Sequence, residues 1–183
     1  FLLRSAVLDR LSPSLCRDVL DIPEILDNPT GWLADLEHQN LFLRRIANQT
    51  AHTEPHYVYH PLFLSFLRAE LPRHLPAAEI EVLHRRAAEA WEERGGLERA
   101  LSHCLQAGDQ SQVARLLEQI APTYLQQGRL EPLARWLDQL GPAVRDQHPR
   151  LMLHAGQLRQ AEGRVEEARR LYLQAAADFE AYQ

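Results

Sequence analysis

The chain has 183 residues, 45% of them hydrophobic and 25% charged, with a formal net charge of −5. A chain of this length buries roughly 70% of its unfolded surface and needs no covalent staple, and no apolar run approaches the ~20 residues that span a bilayer. All 20 of its basic residues are Arg, which excludes a phosphate-loop lysine, a Schiff base and a lysine general base. The two cysteines, Cys16 and Cys104, form no CxxC and have no histidine at ligand spacing, which argues against a zinc site or a disulfide framework and fits a reducing cytoplasm. Residues 1–76 carry seven Arg against nine acids and residues 77–183 thirteen against sixteen, so neither half has the basic footprint of a nucleic-acid binder.

The sequence opens at Phe1 and stops at Gln183 inside a helical pattern, as expected of a piece of a longer chain. Residues 5–11 predict one or two helical turns. Ser12-Pro13 reads as an N-cap followed by Pro at N1, opening a helix to about Asp21 with Leu15, Val19 and Leu20 inward. Thr30 is expected to cap a third helix over residues 32–39, with Trp32, Leu33 and Leu36 on its core face. Residues 41–46 have β character, 47–55 read as a polar loop, and Tyr57-Val58-Tyr59-His60 alternates as a second strand. Pro61 opens a helix over 62–71, which the Leu-Pro-Arg-His-Leu-Pro stretch ending at Pro76 breaks. Helices followed by a two-stranded wing give the winged-helix order, and a winged-helix-like domain is expected over residues 1–76.

From residue 77 onward the pattern is helical throughout, with apolar stripes such as Val113, Leu116, Leu117, Ile120 and Tyr124. Gly95, Gly128 and Gly163 are spaced by 33 and 35, close to the ~34-residue tetratricopeptide period. Ala88, Trp91 and Ala100 in the first copy, Ala121, Tyr124 and Leu133 in the second, and Gly156, Ala168, Tyr172 and Ala175 in the third take the packing positions. The expected fold class is therefore mostly α: a winged-helix domain followed, over 77–183, by tetratricopeptide-like helical hairpin repeats, the start of a longer α-solenoid. Such repeats line a groove with their first helices, and the register places Arg85, Glu89, Arg115, Glu118, Gln157 and Gln160 there as effector or partner contacts. The plain alternative is a solvated face.

Motifs for chemistry are absent. His52, His56 and His60 are spaced by four, but Pro55 and the alternation at 57–60 deny them a helix, so no metal site is expected. There is no HExxH, GxSxG or GxGxxG, and the chain is read as non-catalytic. The helix before the wing would enter a DNA major groove, yet residues 30–40 carry Asp35 and Glu37 and no Arg, and the wing offers only Arg44 and Arg45. The first domain therefore reads as a packing module.

Phe1-Leu2-Leu3-Arg4-Ser5-Ala6-Val7-Leu8-Asp9-Arg10-Leu11, Asn40-Leu41-Phe42-Leu43, Tyr59-His60-Pro61-Leu62-Phe63 with Phe66-Leu67-Arg68, and Leu83-His84-Arg85-Arg86-Ala87-Ala88 together resemble the middle of MalT-type, LuxR-family transcriptional activators, which are STAND-class signal-transduction ATPases. The resemblance implies a parent protein with an ATPase module before Phe1 and a LuxR helix-turn-helix after Gln183. It implies ATP or ADP for that parent and no cofactor in this part, with DNA reached only through the missing helix-turn-helix. The expected partners are the ATPase module, an effector or regulatory protein and other copies of the parent, in the cytoplasm and without a membrane. The winged-helix histidine that touches nucleotide phosphate in such proteins matches His60, whose plain reading is a residue satisfying backbone at a strand end. A free-standing tetratricopeptide adaptor for a protein or peptide partner, and a winged-helix repressor, are the alternatives.

Overall fold

The computed structural model describes residues 1–23, 28–39, 42–46 and 54–181, which form eleven helices and one two-stranded sheet. Contacts divide the chain into a unit of residues 1–96 and a unit of residues 97–183.

The first unit runs α1 (Leu2–Ser5), α2 (Pro13–Val19), α3 (Pro29–His38), β1 (Leu43–Ile46), β2 (His56–Tyr59), α4 (Pro61–His74) and α5 (Ala77–Glu93). The start of α2 is as read from sequence: Ser12 Oγ accepts the Leu15 N–H at 3.3 Å and Pro13 takes the first helical position. The same device starts α3, three residues ahead of the predicted helix. Asn28 Oδ1 accepts the Gly31 N–H at 2.9 Å and Pro29 follows it, so Thr30 lies inside the helix and is not its cap. The helix expected over 5–11 is instead the short α1, after which the chain turns to bring Leu11 against β2. There the Leu11 N–H donates to Tyr57 O at 2.9 Å and the Tyr57 N–H to Leu11 O at 2.8 Å, a third strand one residue long.

In the hairpin, Leu43 pairs with Tyr59 and Arg45 with Tyr57. Leu43, Tyr57 and Tyr59 are buried with Leu8, Leu11, Leu15, Val19, Leu20 and Leu33. Within this core the Ser5 and Tyr59 hydroxyls bond at 2.8 Å, and burial pushes the Cys16 thiol up to about 12, leaving it inert as a nucleophile. Helix α4 continues through Pro72 to His74, three residues past its predicted end, at the loss of one backbone donor. Helix α5 packs on α2 and adds Leu83, Ala87 and Ala90 to the same core.

The second unit runs α6 (Leu97–Gln106), α7 (Gln110–Gln126), α8 (Leu130–Asp138), α9 (Pro142–Asp146), α10 (Pro149–Ala161) and α11 (Val165–Ala181). Helix α7 packs on α6, α8 and α10, and α10 on α11, around Leu101, Leu116, Leu117, Leu133, Leu140 and Leu151. The turn glycines act as read. At Gly128 (φ 68°) the N–H of Arg129 reaches back to Tyr124 O at 2.9 Å, and at Gly163 (φ 79°) that of Arg164 reaches Arg159 O at 2.8 Å. This is the Schellman closure, in which a residue without Cβ adopts the left-handed conformation cheaply. Gly156 lets α10 and α11 approach: a Cβ there would stand 2.5 Å from the Tyr172 ring. Tyr124 is buried between the Trp136 ring, 5.2 Å away, and the Arg129 guanidinium, 4.0 Å from its centroid. Glu98 holds that guanidinium at 2.9 Å, and burial, reinforced by the Glu98 carboxylate, pushes the Tyr124 hydroxyl up to about 12.

Candidate functional site

His60 is exposed and occupies the N-cap position of α4. Its backbone does the local bonding: the N–H donates to Phe42 O at 2.7 Å, and its carbonyl accepts the Leu64 N–H at 2.9 Å. The imidazole makes no capping bond to the helix. Phe42 reaches this position with φ 54°, a left-handed conformation that costs a residue with a Cβ roughly 1–2 kcal/mol. Its ring lies 4.9 Å from that of Phe63, and Phe42, Leu62 and Phe66 are exposed, an apolar and largely aromatic set of residues around the start of α4. Of the other spaced histidines, His56 sits half-buried on β2 opposite Ile46, and His52 lies outside the described residues. Among the described residues no three His, Cys, Asp or Glu side chains are gathered to hold a metal ion.

Helix α3, the would-be reading helix, exposes Asp35. Its Glu37 turns toward the wing, where Oε1 accepts the Arg45 N–H at 3.1 Å. These two carboxylates oppose phosphate rather than attract it. Leu33 and Leu36 are buried as expected, whereas Trp32, also expected in the core, is 37% exposed and meets Phe1 edge-on at 6.3 Å.

The six polar residues assigned to a groove divide between the units. Arg85 and Glu89 are exposed on α5 of the first. In the second, Arg115 Nε donates to Gln112 at 2.7 Å on α7, and Glu118 meets His148 Nδ1 at 3.1 Å. On α10, Gln157 Oε1 lies 3.0 Å from His154 Nδ1, and Gln160 Oε1 accepts the Tyr172 hydroxyl at 2.7 Å. Gln157 and Gln160 are exposed, whereas Glu118 is half-buried.

Two features escaped the sequence reading. An open apolar cavity of about 560 Å³ is bounded by Phe1, Leu3, Trp32, Leu36 and Phe66, with Glu70 at one end paired to Arg73 at 2.6 Å and His74 at 3.4 Å. A polar chain links Glu54, Ser14 and Arg94, which are far apart in sequence and carry no motif. The apolar signal at Trp32 is visible in the sequence, but spacing alone does not show that the ring lies at the surface.

Compared with known families, residues 1–79 match the model of the MalT winged helix domain. The match supports a MalT-type assignment for this part of the chain, and with it a winged helix and a part in transcription regulation. No helix among the described residues is long and apolar enough to cross a membrane.

Proposed function

We propose that this chain is a non-catalytic regulatory part of a MalT-type, LuxR-family, ATP-dependent transcriptional regulator of the cytoplasm. In this reading residues 77–183 are tetratricopeptide-like repeats that sense an effector or partner, and the winged helix of residues 1–76 couples that event to an ATPase module. The observation that carries the reading is the winged-helix match over residues 1–79 in a chain that continues as helices closed by glycine turns.

The residues present fit a bound nucleotide in one respect. His60 offers an exposed imidazole with no capping duty, able to donate to a phosphate oxygen, more strongly when protonated. ATP or ADP would supply the anionic phosphate. Its main cradle would belong to the ATPase module, since a chain without Lys cannot build the lysine of a phosphate loop. Arg85, Glu89, Arg115, Glu118, Gln157 and Gln160 are the proposed effector or partner contacts.

The reading is tested first on the coding sequence around this chain, which should encode a phosphate loop upstream and a LuxR helix-turn-helix downstream; a reading frame lacking both removes it. In the intact regulator, His60→Ala should weaken ADP binding and raise activity without inducer. Unchanged ADP affinity would remove His60 from the nucleotide site. Replacing Arg115 and Glu118 together should alter the inducer response of a protein that remains folded, and an unaltered response would reject the groove.

A further inference from the structure

Arg94, the residue at the C-terminal end of α5, is the hub of a polar chain across the first unit. Its Nη1 donates to the Ala90 carbonyl of its own helix at 2.6 Å, which holds the guanidinium against α5. Its Nη2 reaches Asp18 on α2 and also donates to Ser14 Oγ at 3.1 Å. Ser14 Oγ in turn donates to Glu54 Oε1 at 2.6 Å, and the Ser14 N–H donates to Glu54 Oε2 at 3.0 Å. Glu54 lies just before β2, so three pieces of the fold meet at one hydroxyl: the end of α5, the first turn of α2 and the foot of the wing.

The direction of this chain is fixed by chemistry. A guanidinium only donates and a carboxylate only accepts, so Ser14 must accept from Arg94 and donate to Glu54. Charges of opposite sign at the two ends polarise the hydroxyl the same way, and each bond strengthens the other. Burial alone would raise the Glu54 pKa, but hydrogen bonds from Ser14 and Ser12 and the charge of His56 outweigh it, so the carboxylate is held below its ordinary value. The end of α5 is equally defined. Gly95 takes φ 73°, and a Cβ at Gly96 would stand 2.9 Å from the Trp91 ring, so the turn has little room for another shape.

We propose that Arg94, Ser14 and Glu54 form a relay that transmits a displacement of the Gly95-Gly96 turn to the foot of β2. The relay deepens the coupling reading above, on which its biological purpose rests, by naming the residues through which the winged helix would feel the helices that follow it. Arg94 acts in it as a positioning residue, since it bonds to Ala90, Ser14 and Asp18 and reaches Glu54 through the Ser14 hydroxyl.

Amide hydrogen exchange on the 183-residue chain tests the relay, read at Leu11 and Tyr57, whose N–H groups pin β2 to the first segment. Arg94→Ala and Ser14→Ala should each speed exchange at these amides by about fivefold, the equivalent of one hydrogen bond, and the double variant should go no further than Ser14→Ala alone. Gly96→Ala, which forces the turn to shift, should speed the same amides in the otherwise unsubstituted chain but add nothing in the Ser14→Ala background. Ser14→Thr should restore the slow exchange. Unchanged exchange at Leu11 and Tyr57 in Ser14→Ala overturns the relay, as does additivity of Gly96→Ala and Ser14→Ala. Should Arg94→Ala fail to fold, the Ser14 variants decide alone, because they keep the Arg94–Asp18 pair. No nucleotide or inducer enters this experiment, so its failure is separate from failure of the regulator reading.

Discussion

At the scale of single residues, two positions carry measurable consequences. Gly156 faces the Tyr172 ring so closely that an added methyl overlaps it, and overpacking of this kind costs about 1–3 kcal/mol. Gly156→Ala should lower the thermal midpoint, and Tyr172→Leu should recover part of the loss in the same protein; equal midpoints for wild type and Gly156→Ala would show that the helices separate freely. His84 on α5 has its pKa lowered, first by burial and then by the neighbouring Arg68 guanidinium. The fold therefore favours the neutral imidazole, whereas the unfolded chain takes up a proton near pH ~6.5. Below that pH the unfolded state binds more protons, so stability should decline as pH falls through the folded-state value. Urea unfolding at pH 7.5, 6.5 and 5.5 should show a shallower decline for His84→Gln than for wild type, and parallel declines would exclude His84 as the source.

The elements show where local signals suffice and where they do not. Ser12-Pro13 and Asn28-Pro29 are the same start signal, and only the first is unambiguous in the sequence, because Thr30 offers a competing cap two residues after Asn28. The strands of the wing were legible from the alternation at Tyr57 and Tyr59, yet the Leu11 bridge was not, since a single paired residue has no period. Helix α9 has five residues, too few for an apolar stripe to declare itself. Of the candidate site, the place of His60 before a helix was readable from Pro61, whereas the meeting of Ser14, Glu54 and Arg94 depends on how helices and wing pack and leaves no trace in spacing. The glycine turns were the most legible feature, and they give a controlled comparison. Gly163→Ala must place a Cβ at φ 79° and should destabilise by about 1 kcal/mol. Gly141→Ala, at φ −62° with open space around it, should cost nothing or stabilise slightly. Equal losses at both sites in denaturant titrations would mean that backbone conformation is not what selects Gly163.

For the molecule as a whole, charge governs what it meets. A chain of net charge −5 whose would-be reading helix carries Asp35 and Glu37 should not bind duplex DNA in a specific, salt-sensitive way. Fluorescence anisotropy with labelled duplexes at low and moderate salt should show no binding tighter than about 1 µM, the upper end of ordinary non-specific affinity; a defined operator bound more tightly would return the winged helix to the DNA readers. The two units also differ in how far along the chain their contacts reach. Ser5 bonds Tyr59 across 54 positions, and Leu11 closes on Tyr57, whereas α10 and α11 meet across the Gly163 turn. Loop-closure entropy slows the first kind of contact and hardly touches the second. During synthesis α10 and α11 can therefore pair as soon as both have emerged, whereas the apolar segment of residues 1–11 stays without its β2 partners until the wing has been made.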